Sequence, residues 1–317
     1  MNAGALLPML LAVALDLAFG DPPNRLHPVA WIGSALVAAR RRLIRPGRVI
    51  PLLLGASLMV VGVAFALALG IAISLGLAKL PTPAGLIVEA IMLKSLFSIR
   101  GLARAARAVA EALDRCDLPE ARRLASWHLV SRPTEGLDGP FVAAAAIESV
   151  AENASDSIVA PLLYYGVFGL PGALAYRFIN TADSLFGYRD PEREWLGKVP
   201  ARLDDLANLI PARLSALMMV LAAPVAGGSS VLAFRIWRRD ASKTASPNAG
   251  RPMSAAAGAL GVELEKVGAY HLGAGLRLPG PDDIGRSIRL LWATTGLALI
   301  PIAALKLLLA TRHLYQH

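Results

Sequence analysis

Residues 50–78 read IPLLLGASLMVVGVAFALALGIAISLGLA, 29 positions without one Asp, Glu, Lys or Arg. A helix needs roughly 20 apolar residues to cross about 30 Å of hydrocarbon. Ile50–Ala78 therefore predicts a membrane span, with length left for tilt or for continuing past the interface. The rest of the chain agrees: its 317 residues are 55% hydrophobic and 17% charged, and the mean hydropathy is +0.53. Those values fit a polytopic membrane protein better than two soluble domains.

Working outward, Leu214–Phe234 and Leu290–Leu305 are further candidate spans, the second extendable because Lys306 can snorkel to the headgroups. Met1–Leu15, before Asp16, lacks a basic leader and a small-residue cleavage site, so it predicts a retained first helix. Thr82–Phe97 can span only if Glu89 and Lys94 face protein or each other. Arg40, Arg41, Arg42, Arg45 and Arg48 stand just before the long span, where the positive-inside rule places cytoplasmic arginines. The rule also assigns Arg100–Arg132 to the cytoplasm, and two spans between Ile50 and Phe97 reconcile the two assignments. Topology thus accounts for the net charge of +9, and no nucleic-acid partner is expected. The single cysteine, Cys116, has no partner for a disulfide or a zinc site.

From Gly101 to Leu129 apolar residues recur every three or four positions with arginines opposite, and Pro119 suits the first turn of a second helix. This predicts a helical hairpin on the cytoplasmic surface. Ala241–Met253 and Gly273–Asp283, rich in Gly and Pro, read as flexible loops. The expected architecture is all-α: one membrane-embedded domain over 1–317 with about four to six embedded helices and broken re-entrant segments. The cytoplasmic hairpin falls at 100–135 and a core motif region at 141–213.

Three polar clusters sit inside this apolar background. In FVAAAAIESVAENASD (141–156), helical geometry puts Glu148, Glu152 and Asp156 within an arc of about 80°, with Ser149, Asn153 and Ser155 widening it. Carboxylates at that spacing repel by a few tenths of a kcal/mol per pair, on the order of a weak surface effect. The pattern admits a solvated helix face or a site for a cation, Mg²⁺ or substrate. Next, Ser157–Tyr176 has the length of a span but carries GVFGLPG at its centre. Gly and Pro are poor interior helix residues, so a broken or re-entrant hairpin is expected, with Asp156 and Arg177 brought to one side. Then YRFINTADSLFGYR (176–189) spaces Asn180, Asp183, Ser184 and Gly187 on one face, and ARLDDLANLIPARL (201–214) places Asp204 and Asn208 one turn apart with Asp205 beside them.

With LDLAFGDPPNRLHPVAWIG near the start and SPNAGRPMSAAAGALGV near the end, these stretches resemble, in order, the CobD/CbiB family of cobalamin biosynthesis, the adenosylcobinamide-phosphate synthases. The resemblance covers nearly the whole chain. It implies a multi-pass inner-membrane enzyme with a cytoplasmic active face, which joins the free propionate of adenosylcobyric acid to aminopropanol or its O-phosphate. It also implies ATP and Mg²⁺ as cofactors, an adenosylated corrin as substrate, and membrane lipid and other late cobalamin-pathway enzymes as partners.

On that implied chemistry, ATP converts a poorly electrophilic carboxylate to an acyl phosphate, and acidic side chains hold the Mg²⁺. Glu148, Glu152, Asp156 and Asp183 are the metal candidates. Glu148, Glu152, Asp183 and His27 are the catalytic candidates, one of them acting as base toward the amine. Arg132, Arg177 and Arg202 are candidates for phosphate. Asn153, Asn180, Asp204, Asp205, Asn208 and Asn248 complete the substrate-binding set. The loop SKTASPNAGRP is expected to wrap an anion with backbone amides, helped by Lys243 and Arg251. Neither GxxxxGK[ST] nor GxGxxG occurs, so a nucleotide would use an atypical pocket. Where relatives are expected to read Arg-Asp-Thr, this chain has Arg132-Pro133-Thr134.

Two other classes stay open. Broken helices with polar residues resemble those of solute transporters, and a distantly related family serves in cell-wall signalling, which leaves a non-enzymatic membrane sensor.

Overall fold

The computed structural model describes residues 3–22, 25, 27–130, 134–187 and 194–314. Among them, four helices are long and apolar enough to cross a membrane: Val49–Leu77, Gly139–Phe186, Leu209–Ala226 and Pro281–Thr311. The chain forms two compact units, Met1–Ser98 with Ala160–Ala207 and Ile302–His317, and Ile99–Val159 with Asn208–Pro301. The hairpin expected at 100–135 falls in the second unit, and the motif region at 141–213 is divided between them.

The first unit is built on α3 (Val49–Leu77), with α1 (Leu7–Phe19), α2 (Pro28–Leu43), α4 (Thr82–Lys94), α8 (Ala160–Phe186) and α9 (Glu194–Ala207). The glycines of α3 form its packing seam. A Cβ on Gly55 would lie 2.2 Å from the Leu196 carbonyl oxygen, one on Gly62 1.9 Å from the Phe178 ring, and one on Gly70 2.4 Å from Pro171 Cα. Small residues let membrane helices approach this closely, and van der Waals contact then holds them. α1 is shorter than a span needs and packs on α4.

α8 breaks where expected. Gly169 leaves helical geometry at φ 65°, ψ −159°, two residues before Pro171. The rings of Tyr164 and Tyr176 then stack with centroids 4.9 Å apart, whereas 12 residues of straight helix would separate their backbones by about 18 Å. The two arms fold back on each other as a re-entrant hairpin.

Charges inside this unit are partnered. Glu89 and Lys94 face protein, though not each other: Tyr165 donates to Glu89 at 2.8 Å, and Lys306 Nζ lies 4.0 Å from the Tyr165 ring centroid. Lys94 meets Asp21 at 2.7 Å and Asp16 at 3.4 Å. An ionisable group in such surroundings costs several kcal/mol, an order-of-magnitude figure, unless it is paired.

The second unit contains α5 (Ile99–Asp114), α6 (Leu118–His128), α7 (Gly139–Ala154), a π turn (Ser155–Val159), α10 (Leu209–Ala222), α11 (Ser230–Asp240), α12 (Gly250–Leu260) and the first part of α13 (Pro281–Leu314). The α5–α6 hairpin matches its sequence pattern. Ala103, Ala106, Val109 and Ala110 are buried while Arg104 and Arg107 are exposed, and Asp117 caps α6 by accepting the Glu120 amide at 3.1 Å.

Two expectations need correction. The span placed at Leu214–Phe234 is Leu209–Ala226, because Gly227 takes a left-handed φ of 72° and stops it; α11 then starts afresh. Ala241–Met253 is no slack loop but a built turn leading into α12. Within the segment between α12 and α13, Leu264–Lys266 and Tyr270–Leu272 pair as a small antiparallel hairpin, turned at Gly268 with φ 74°.

Candidate functional site

The second unit carries the first acidic cluster. α7 is buried on all sides from Val142 to Ala151, which removes the reading of a solvated face: Glu148 is only 4% exposed. Glu152, Asn153 and Asp156 are half-buried. Around them runs a hydroxyl and amide chain. Ser149 donates to the Leu129 carbonyl at 2.7 Å, Asn153 donates to the Ser149 carbonyl at 3.0 Å, and Ser157 donates to Asn153 Oδ1 at 2.9 Å. The α geometry ends at Ala154, so Asp156 is aimed by the π turn rather than by a regular 100° step. Such inserted turns recur at functional sites.

The same unit holds Asn208, buried at the start of α10, and Asn248, buried ahead of α12. The anion loop differs from expectation in its donors. The amides of Asn248 and Ala249 are directed at the Ser246 hydroxyl, at 3.2 and 3.4 Å. Lys243 is held 2.6 Å from Asp240. Asp240 also accepts from Arg239 and from the Gly273 amide at 2.7 Å. Burial alone would raise this carboxyl, but the three donors outweigh it and hold its pKa at about 2.

What remains beside Asn248 is an arginine that sequence reading missed. Arg213 Nη1 donates to the Leu209 carbonyl at 2.7 Å and reaches Asn248 Oδ1 at 3.5 Å. Arg251 turns its Nε to the Pro247 carbonyl at 3.2 Å. Burial, and then the charge of Arg213, hold the Arg251 guanidinium below its ordinary range. Among the described residues no carboxylate forms an ion pair with either of these two arginines. Arg213 lies in the quoted ARLDDLANLIPARL, five residues after Asn208, a spacing that does not put the two on one helix face, so the sequence carried no signal for it.

The first unit carries the second cluster on the outgoing arm of α8. Arg177 donates to Asn180 Oδ1 at 3.2 Å, and Asn180 Nδ2 donates to Asp204 Oδ1 at 3.3 Å. Tyr164, stacked on Tyr176, donates to the Ala207 carbonyl at 3.1 Å. Asp183 occupies the space a side chain on Gly187 would need, since a Cβ there would lie 2.1 Å from Asp183 Oδ1. Arg202 is exposed and 3.5 Å from Asp205. Both line a cavity of about 300 Å³ with Gly187, Glu194, Gly197 and Lys198.

His27 joins neither cluster through a described hydrogen bond. Its Nε2 stands 3.9 Å from Asp21, beside the Lys94 pair and Ser98, which also donates to Asp21. Burial would raise the Asp21 carboxyl, yet His27, Lys94 and Ser98 together hold it well below the ordinary range. Arg132 lies outside the described residues.

The sequence model of the CobD/Cbib protein family matches residues 9–291. "Cobalamin biosynthesis protein CobD" of Dehalococcoides mccartyi is 43% identical over 287 residues, covering 90% of this chain and 92% of that relative. "Probable cobalamin biosynthesis protein CobD" of Methanothermobacter thermautotrophicus is 44% identical over 84% of this chain and 86% of its own. "Cobalamin biosynthesis protein CobD" of Geobacter metallireducens is 46% identical over 85% and 83%. No solved structure matches the chain. With the match running through the acidic helix, the broken α8 and the Asn248 turn, this chain belongs to the CobD/Cbib protein family.

Proposed function

We propose that this chain is an amide-forming ligase of cobalamin biosynthesis, joining a corrinoid carboxyl to aminopropanol or its O-phosphate with ATP and Mg²⁺. Its place in cobalamin biosynthesis follows from family membership and from relatives that carry that name. That place makes it a biosynthetic enzyme and makes corrinoids its substrates.

Glu148 carries the chemical reading: a carboxylate 4% exposed on an apolar helix, one turn from Glu152 and two from Asp156. Mg²⁺ commonly takes one or two carboxylates and leaves its other positions to water and phosphate oxygens. Among the described residues no group of three His, Cys, Asp or Glu side chains stands together as a metal site, so an ion here would depend on water and substrate phosphate oxygens for most of its positions. Glu148 and Glu152, one turn apart on α7, would supply the carboxylates. When bound the ion offsets charge on the transferring phosphoryl group.

The chain's own residues do the rest. A corrinoid carboxylate oxygen takes the γ-phosphoryl of ATP and ADP leaves; the amine nitrogen then attacks the acyl carbon, phosphate departs, and one acidic side chain receives the amine proton. Arg213 and Arg251 bind phosphate oxygens in the forked geometry of guanidinium. Arg177, Asn180 and Asp204 form a fixed polar rail that orients an amide or hydroxyl.

Mass spectrometry of adenosylcobyric acid incubated with purified protein, aminopropanol phosphate, ATP and Mg²⁺ tests this. The condensed amide is expected, and none without ATP. A transporter reading has one observation behind it, the break at Gly169. ATP-independent flux of labelled solute into proteoliposomes, without product, would decide for it. A cytoplasmic active face predicts that cysteines placed at the exposed Ser184 and Ser242 label only from the cytoplasmic side.

A further inference from the structure

Away from these clusters, the first unit holds a cavity of about 640 Å³ along α2 and α3. Its walls follow helical spacing on both sides. Ile32, Ala35, Leu36, Ala39, Arg42 and Leu43 come from one face of α2, and Leu54, Ser57, Leu58, Val61, Gly62 and Phe65 from one face of α3. Phe178 of α8 closes the floor, its ring against Gly62. Twelve of these thirteen side chains are apolar or small. The thirteenth, Arg42, sits at the end nearest the turn between the two helices.

That turn is basic. Arg40, Arg41 and Arg42 end α2, with Arg45 and Arg48 before α3. Among the described residues no carboxylate forms an ion pair with Arg40, Arg41 or Arg42. Arg48 leans on the Trp195 ring, 5.5 Å away. The turn lies where the 29-residue α3 begins, and a helix of that length, about 43 Å, outruns the hydrocarbon. Its charged end therefore meets the headgroups while the groove runs away from them along the span.

We infer that this groove is a binding site for one anionic membrane phospholipid, with an acyl chain along α2 and α3 and its phosphodiester on Arg42. The volume falls in the range of about 300–1,000 Å³ that suits a drug-sized apolar ligand. The single cation at one end sets the polarity of the occupant. A zwitterionic lipid brings its own positive group to that end and loses the advantage. A second copy of this chain would have to present an acid to Arg42 and an apolar ridge to the groove.

Native mass spectrometry of the full-length protein, extracted in detergent and offered phosphatidylglycerol or phosphatidylcholine, tests the site. One phosphatidylglycerol adduct is expected, retained at collision energies that strip phosphatidylcholine, together with a rise in melting temperature for phosphatidylglycerol alone. Arg42→Gln should abolish that preference, while Arg41→Gln, off the groove, keeps it. Ala39→Trp should fill the groove and remove the adduct. Val60→Trp, at a 70% exposed position of α3 that does not line the groove, controls for bulk and should leave it. Equal adducts of both lipids on the unaltered protein, or an adduct undiminished in Ala39→Trp, would overturn the site. A concentration-dependent dimer that Ala39→Trp dissolves, with no lipid adduct, would assign the groove to a second copy instead.

Discussion

Two charge clusters in the second unit use the same residue types to opposite ends. At Asp240, one buried carboxylate takes Arg239, Lys243 and the Gly273 amide, so every charge there is spent inside the protein. Elsewhere in the unit, Arg213 and Arg251 flank Asn248, and the nearer groups they address are backbone carbonyls and an amide oxygen. Burial first, and then the like charge of Arg213, lower the pKa of Arg251. The first cluster holds the turn; the second has no carboxylate ion pair among the described residues, which is what the proposed phosphate role requires. Burial and sequence position do not separate them, but the presence or absence of a carboxylate partner does.

That contrast can be broken at several points. The largest expected effect lies with the buried acid: Glu148→Gln should lower amide formation by on the order of 100-fold or more, the loss typical of a group that stabilises transition-state charge, with the melting temperature kept. Arg213→Ala and Arg251→Ala come next. A hydrogen bond to a charged group is worth about 1.5–3 kcal/mol, so each should raise KM for a phosphate-bearing substrate by about 10- to 100-fold. Steady-state kinetics with varied ATP and varied aminopropanol phosphate identify which phosphate it is.

Asp240→Asn should do the reverse, costing about 2 kcal/mol of stability, read as a fall of a few degrees in thermal unfolding, with KM unchanged. Acid should reproduce it. Because the folded pKa of Asp240 is about 2, below the ordinary value, its contribution is complete above about pH 4 and is lost as pH falls through about 2. The Asp240→Asn protein should lack that part of the acid transition. Smallest is Lys243→Ala. Lys243 is already committed to Asp240, so KM should stay within about twofold; a tenfold rise would show that it serves the ligand.

The legible part of the molecule was its local physics. Ile50–Ala78 gave a span from the absence of charge alone, the α5–α6 hairpin followed from apolar spacing and Pro119, and GVFGLPG marked the break in α8 because Gly and Pro disfavour a helix interior. Glu89 and Lys94 were legible as a demand for partners, though not as to which. Partners such as Tyr165, 76 residues from Glu89, belong to tertiary packing. So does the capture of Lys243: Asp240 is near in sequence, but the Gly273 amide that completes its shell comes from beyond a small β-hairpin with no strong pattern. The glycine seam of α3 reads as ordinary span sequence until Leu196, Phe178 and Pro171 are seen against it. For the same reason Arg213 went unnamed, since Asn248, the group it reaches, is 35 residues away in sequence.

The proposed ligation is tested most directly by isotope transfer. Adenosylcobyric acid carrying ¹⁸O in its free carboxylate, turned over with ATP, Mg²⁺ and the amine, should give amide together with inorganic phosphate holding one ¹⁸O per product. Amide with unlabelled phosphate, or ATP hydrolysis with no amide, would contradict it.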